Sequence, residues 1–150
     1  MKKFLFFTFP MALIATSCSS QNISRDKVPS VVLNTFQAQH PNSTGVEWEK
    51  HGDIYEAEFD VNDTLEIVTR IDEAGKLMME KQDITVSDLD PAVLTAIQSR
   101  YKEYRVDDVE KIQKGSNIFY QVELKAQGKK ELNIVLAADG SEDKSLPYWD

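Results

Sequence analysis

Internal repetition constrains this chain more than any other feature. The stretches "DIYEAEF" (residues 53–59) and "IFYQVEL" (residues 118–124) carry nearly the same alternation. Upstream, "VLNTFQ" (residues 32–37) aligns with "VLTAIQ" (residues 93–98) at an offset of 61. Tyr55, Glu58 and Gly75 align with Tyr120, Glu123 and Gly140 at an offset of 65. The same elements recur in the same order, with a few residues inserted. This is the signature of two copies of one unit rather than of a short-period solenoid.

Each copy opens on a helical pattern. Val28-Pro29 and Asp90-Pro91 put a proline where a helix begins, at the first helical position, where its missing N–H is not needed. Asp90 suits an N-cap. Val28, Val32, Phe36 and Gln39 share one stripe, as do Val93, Ile97, Tyr101 and Tyr104. Pro41 helps to end the first helix. The period then changes to two. Tyr55, Ala57, Phe59 and Val61 alternate with Glu56, Glu58 and Asp60, and Leu65, Ile67, Thr69 and Ile71 follow the same rule. In the second copy Tyr120, Val122, Leu124 and Ala126 match Leu132, Ile134 and Leu136. Such alternation marks strands with one buried face.

Opposed residues in a hairpin point to the same face, so the pattern sets the register. A two-residue turn at Asn62-Asp63 would set Phe59 against Glu66. A three-residue loop, Asn62-Asp63-Thr64, sets Val61 against Leu65 and Phe59 against Ile67. The second copy needs the same odd loop at Gln127-Gly128-Lys129, a common hairpin length. Further strands are expected at residues 46–50, 76–81, 109–114 and 141–146, with turns at Gly52, Gly75, Gly115 and Gly140. The expected fold is α+β: a tandem repeat of a helix plus a four-stranded antiparallel meander. The helices pack on one face of the sheet and the other face is open to solvent. The expected divisions are 1–17, a signal peptide; 18–27, a lipid-anchored tether; 28–87, the first repeat; and 88–150, the second.

"VEWEKHGDIYEAEF" (residues 46–59), the helix near Pro29 and the doubled layout resemble the PepSY-like secreted lipoproteins, which are similar in fold to β-lactamase-inhibitor proteins. The resemblance covers about residues 28–145. The second copy departs from the pattern, with Lys111 or Ile112 where the first has Trp48. The resemblance implies a helix-and-sheet repeat and a non-enzymatic binding role. It carries over no inhibitory residue.

The amino terminus reads as an export signal. Lys2 and Lys3 precede an apolar run, residues 4–15, too short to span a bilayer. Ala15, Thr16 and Ser17 lead to Cys18, the only cysteine. A lone cysteine at that point favours lipidation at Cys18 over plain cleavage after Ser17, although Ala15 stands where a lipobox usually has Leu. Acyl chains would anchor the protein without a spanning helix. No disulfide can form within one chain. Loss of Lys2 and Lys3 takes the formal charge from −8 to −10, which argues against nucleic acid or an anionic membrane surface as partner. A periplasmic protein held to a membrane by lipid is the expected address.

Chemistry is harder to find. His40 ends the first helix and His51 lies in a turn beside Gly52, with no second His or Cys at metal-ligand spacing. Both read as structural, and no metal or cofactor is expected. The segment from Asp60 to Glu66 is too short for a calcium loop, with Leu65 where Gly is required. No phosphate loop, nucleophile elbow or zinc-protease motif is present, so no catalytic residue is assigned. The candidates for partner binding lie on the expected open face. Glu56 opposes Arg70, Glu58 opposes Val68, and Asp60 opposes Glu66 as a like-charge pair, unfavourable by about 0.2–1 kcal/mol. These acidic residues suit a protein or peptide partner of basic character, or a cation. Trp48 and Trp149 are further candidates as exposed anchors, although such residues more often fold back over a core edge. The alternative to a protein-binding module is a carrier or sensor of a small molecule or cation.

Overall fold

The computed structural model describes residues 21–62 and 65–149. The export signal, Cys18, Asp63 and Thr64 lie outside the described residues. One antiparallel sheet holds eight strands in chain order. They are β1 (Gln21–Asn22), β2 (Ser43–His51), β3 (Ile54–Val61), β4 (Leu65–Asp72), β5 (Leu77–Asp83), β6 (Arg105–Lys114), β7 (Asn117–Lys125) and β8 (Leu132–Ala137). Helix α1 (Ser30–Gln39) precedes β2, and α2 (Pro91–Arg100) joins β5 to β6.

The hairpins follow the register that apolar matching requires. Val61 pairs with Leu65, Phe59 with Ile67 and Tyr55 with Ile71. In the second hairpin Leu124 pairs with Leu132 and Tyr120 with Leu136. Each helix closes its own core. Val28, Val32 and Phe36 meet Trp48, Tyr55, Ala57, Phe59 and Ile71. Leu89, Val93 and Ile97 meet Val109, Tyr120, Val122, Leu124, Ile134 and Leu136.

Both helices lie on the same side of the sheet, and cross-strand pairing shows it. Ile67, on the α1 side, pairs with Gln82, Gln82 with Lys111, and Lys111 with Tyr120, which belongs to the α2 core. Paired residues share a face. At the seam between the halves, that row presents polar side chains, so the two helix-side cores are separate. A third apolar cluster lies on the opposite face. It joins Val68 and Met79 of the first half to Ile112, Phe119, Val135, Leu146, Tyr148 and Trp149 of the second.

Four expectations need correction. Pro29 is the N-cap residue and α1 starts at Ser30, whereas Pro91 is the first residue of α2 and Asp90 caps without a side-chain bond. Gln21 and Asn22, expected in the tether, pair with Lys50 and Glu49 at the sheet edge. The expected strand at residues 141–146 is reduced to a single bridge between Leu136 and Glu142. There Asp143 Oδ1 accepts bonds from the backbone N–H of Ser145 and Leu146 and from the Ser145 hydroxyl. Donors that a ladder would use are taken locally, and Pro147 has none. The tail therefore leaves the sheet edge and crosses the face expected to be open.

The two turns on which the helices rest show the same device. Gly75 (φ 84°) and Gly140 (φ 81°) both need left-handed backbone. A Cβ on Gly75 would lie 2.7 Å from Val31 Cγ2, and one on Gly140 2.6 Å from the Ala92 carbonyl oxygen. Thr35 Oγ1 donates to the Gly75 carbonyl at 2.7 Å, and Arg100 Nη1 to that of Gly140 at 2.9 Å. Helix and turn touch backbone to backbone, and only glycine fits. Gly140→Ala is expected to lower unfolding free energy by about 2 kcal/mol or more. Gly115→Ala, at φ 61° but with nothing within 4 Å of its Cβ, should lose clearly less. Denaturant titration of both variants checks the difference.

Candidate functional site

The site is the sheet face turned away from the helices. Because alternate residues share a face, β2 places Glu47, Glu49 and His51 there, and β3 places Glu56, Glu58 and Asp60. Strand β4 adds Glu66, Val68 and Arg70, and β5 adds Met79, Lys81 and Asp83. Pairing sets Glu47 against Glu58, Glu49 against Glu56, and Asp60 against Glu66. Asp83 pairs with Glu110 and Glu110 with Gln121. Carboxylates thus face one another across neighbouring strands.

The carboxyl-terminal tail divides this face. Trp149 is buried, 3% exposed, and lies over the seam between the halves. The Arg70 guanidinium stacks on its ring at 4.1 Å, a favourable cation–π arrangement. Its indole N–H donates to Glu56 Oε2 at 3.1 Å, and Arg70 Nε donates to the same oxygen at 2.6 Å. The Trp149 carbonyl accepts from Lys81 Nζ at 2.9 Å and from Gln121 Nε2 at 3.0 Å. Its backbone N–H donates to Gln121 Oε1 at 2.5 Å. Glu110 closes the network, 2.7 Å from Lys81 Nζ and 2.6 Å from Gln121 Nε2. Burying such groups is tolerable only when each finds partners.

The sequence-derived candidates therefore separate. Glu56 and Arg70 are brought together, but they hold the protein's own Trp149. Trp48 is buried against Phe36, at 5.1 Å between ring centroids, on the helix side. Neither tryptophan is an exposed anchor, because an indole removed from water gains more by covering a core edge than by waiting for a partner. Glu58, Asp60 and Glu66 remain exposed beyond the tail. Partial burial raises the Glu58 carboxyl above its ordinary value, and Glu66, Glu47, Glu49 and Glu56 add to the rise. Asp83 is raised by partial burial, then by Asp108 and Glu66, against Lys81. A recess of about 120 Å³ between the tail and these acids is lined by Glu56, Glu58, Glu66, Val68, Lys81, Asp83, Glu110 and Trp149.

The histidines also separate. His40 is held between Phe36 and Phe59 on the helix side, at 5.5 and 4.5 Å between centroids. Burial lowers its pKa, and Glu80 opposes the shift. His51 is on the acidic face. Its Nε2 lies 3.2 Å from Glu49 Oε2 and 3.8 Å from Glu56 Oε1, and the three ligand atoms lie within 4.8 Å of one another. Linear spacing of His and Cys could not show this group, because two of its members are glutamates on paired strands. The E-x-H pattern at Glu49 and His51, opposite Glu56, was the available signal.

The family model described as "Putative beta-lactamase-inhibitor-like, PepSY-like" matches the chain twice, over residues 14–79 and 71–141. Among solved structures, a DUF2874 family protein from Bacteroides ovatus is 22% identical, with TM-score 0.71, covering 79% of this chain and 86% of that one. A BLIP-like protein from Bacteroides fragilis is 24% identical, with TM-score 0.65, covering 76% and 82%. A Bacteroides eggerthii structure described as of "putative periplasmic proteins" is 17% identical, with TM-score 0.70, covering 77% and 85%. At these identities the likeness shows the fold alone. None of the curated proteins compared with the chain matches it.

Trp48 and Trp149 are the only tryptophans, so indole emission should be blue-shifted and weakly quenched by iodide. Trp149→Ala should cost about 3–5 kcal/mol of stability and make the remaining emission no more accessible to iodide. For Glu58, a raised folded pKa makes its charge unfavourable to folding above that pKa, and the penalty vanishes as pH falls below the unfolded value. Glu58→Gln should therefore raise Tm at pH 7, and the gain should shrink towards pH 4 in parallel thermal scans.

Proposed function

Since the chain belongs to the PepSY-like, beta-lactamase-inhibitor-like family, we propose that it is a non-enzymatic binding module of the bacterial envelope. Each repeat, residues 28–87 and 88–150, contributes a helix and a meander to one platform. Its partner is a protein or peptide of basic character. The contact lies on the acidic part of the face away from the helices, around Glu58, Asp60 and Glu66. Cys18 is the point of lipid attachment, holding the module at a membrane on the periplasmic side. The periplasmic description of the Bacteroides eggerthii structure and the export signal support that address.

One observation carries the reading. Glu47 faces Glu58 and Asp60 faces Glu66, and among the described residues none of these four is in a salt bridge. Folding places like charges side by side, and a cationic partner would relieve them. Among the described residues only Val31 and Val86 are large exposed hydrophobics, so an association dominated by apolar anchors has little to grip. Binding should be steered by charge and weakened by salt.

The test is affinity capture from detergent extracts of the envelope, with wild type beside the Asp60→Lys/Glu66→Lys double variant. The expected result is a stoichiometric basic protein retained by wild type, released by salt and lost from the variant. Equal capture by the variant discards the acidic-face contact. Cys18→Ser should move the protein from the membrane fraction to the soluble one.

A further inference from the structure

We propose that Glu49, His51 and Glu56 form a binding site for a divalent transition metal of the zinc type. The site does not depend on the protein-partner reading, and either can fail alone.

The geometry follows from strand pairing. Glu49 and His51 are two apart on β2 and share a face, and Glu56 on β3 pairs with Glu49. His51 Nε2 is buried and makes no hydrogen bond, yet it lies between two carboxylate oxygens at 3.2 and 3.8 Å. A zinc ion about 2.0–2.1 Å from tetrahedral N and O ligands requires those ligands to be about 3.3 Å apart. His51 Nε2 is already near that spacing from both oxygens, and the three atoms all lie within 4.8 Å of one another. An imidazole nitrogen with two carboxylates suits zinc and its neighbours better than magnesium or calcium, which take oxygen sets. A fourth position would fall to water.

Glu56 is also oriented as a ligand would be. Its Oε2 accepts from Arg70 Nε and from the Trp149 indole N–H, which leaves Oε1 turned to His51. Such outer partners set a ligand's direction and commonly matter about 10–100-fold in affinity. Trp149, three residues beyond Leu146 in the carboxyl-terminal tail, thereby connects the carboxyl terminus to a site on β2 and β3. Its role there is that of a positioning residue.

The experiment uses the full chain carrying Cys18→Ser, so that no thiol competes. Calorimetry with Zn²⁺ should show one equivalent bound. His51→Ala should abolish that binding, His40→Ala should leave it intact, and Trp149→Phe should weaken it about 10-fold. NMR of the imidazoles supplies a readout independent of variant folding: Zn²⁺ should shift His51 and leave His40 unmoved. Absence of a zinc-dependent His51 shift in the wild type overturns the proposal, as does unchanged uptake by a folded His51→Ala variant.

Discussion

Hairpin register is the constraint on which everything else rests. With Phe59 opposite Ile67 and Leu124 opposite Leu132, every strand residue is assigned to a face. A slip of one residue would exchange the faces, putting Glu56 and Glu58 under α1 and exposing Phe59. Burying unpaired carboxylates costs far more than any turn preference could recover. The odd-length loops are therefore a consequence of the apolar pattern.

The same constraint produces the tension on the second face. If apolar residues take one side of β2, β3 and β4, the acidic residues between them must take the other, one beside the next. The fold relieves part of this repulsion internally. Arg70 and Lys81 supply positive charge, and Trp149 brings a ring, an N–H and a carbonyl to the centre of the cluster. The tail also bridges the halves. The helix-side cores do not meet at the seam, whereas the third cluster spans it. Beyond the reach of the tail, around Asp60 and Glu66, the like charges face water, and that is where a partner has most to offer.

Paired glycines show how two copies can keep one contact while their sequences diverge. Gly75 meets Val31 and Thr35, and Gly140 meets Ala92 and Ala96, at equivalent helix positions. The hydrogen bond to the glycine carbonyl comes from Thr35 in one copy and Arg100 in the other. The close approach of helix to turn is retained, while the donor has moved.

Sequence alone determined the two helices, seven of the eight strands and the register of the two central hairpins, because periods of 3.6 and two are written in residue order and opposed faces must agree. It also determined the opposite-charge pair Glu56–Arg70 and the like-charge pair Asp60–Glu66, which follow from register. Tertiary structure decided what no spacing encodes. Trp149 and Glu56 are 93 positions apart, and their contact needs the tail to leave the sheet edge at Asp143, where a side-chain oxygen captures the backbone donors of a would-be strand. His51 acquires Glu56 as a second carboxylate neighbour only when β2 and β3 lie side by side. Long-range contacts of this kind depend on where whole elements come to rest, and only the assembled core sets that.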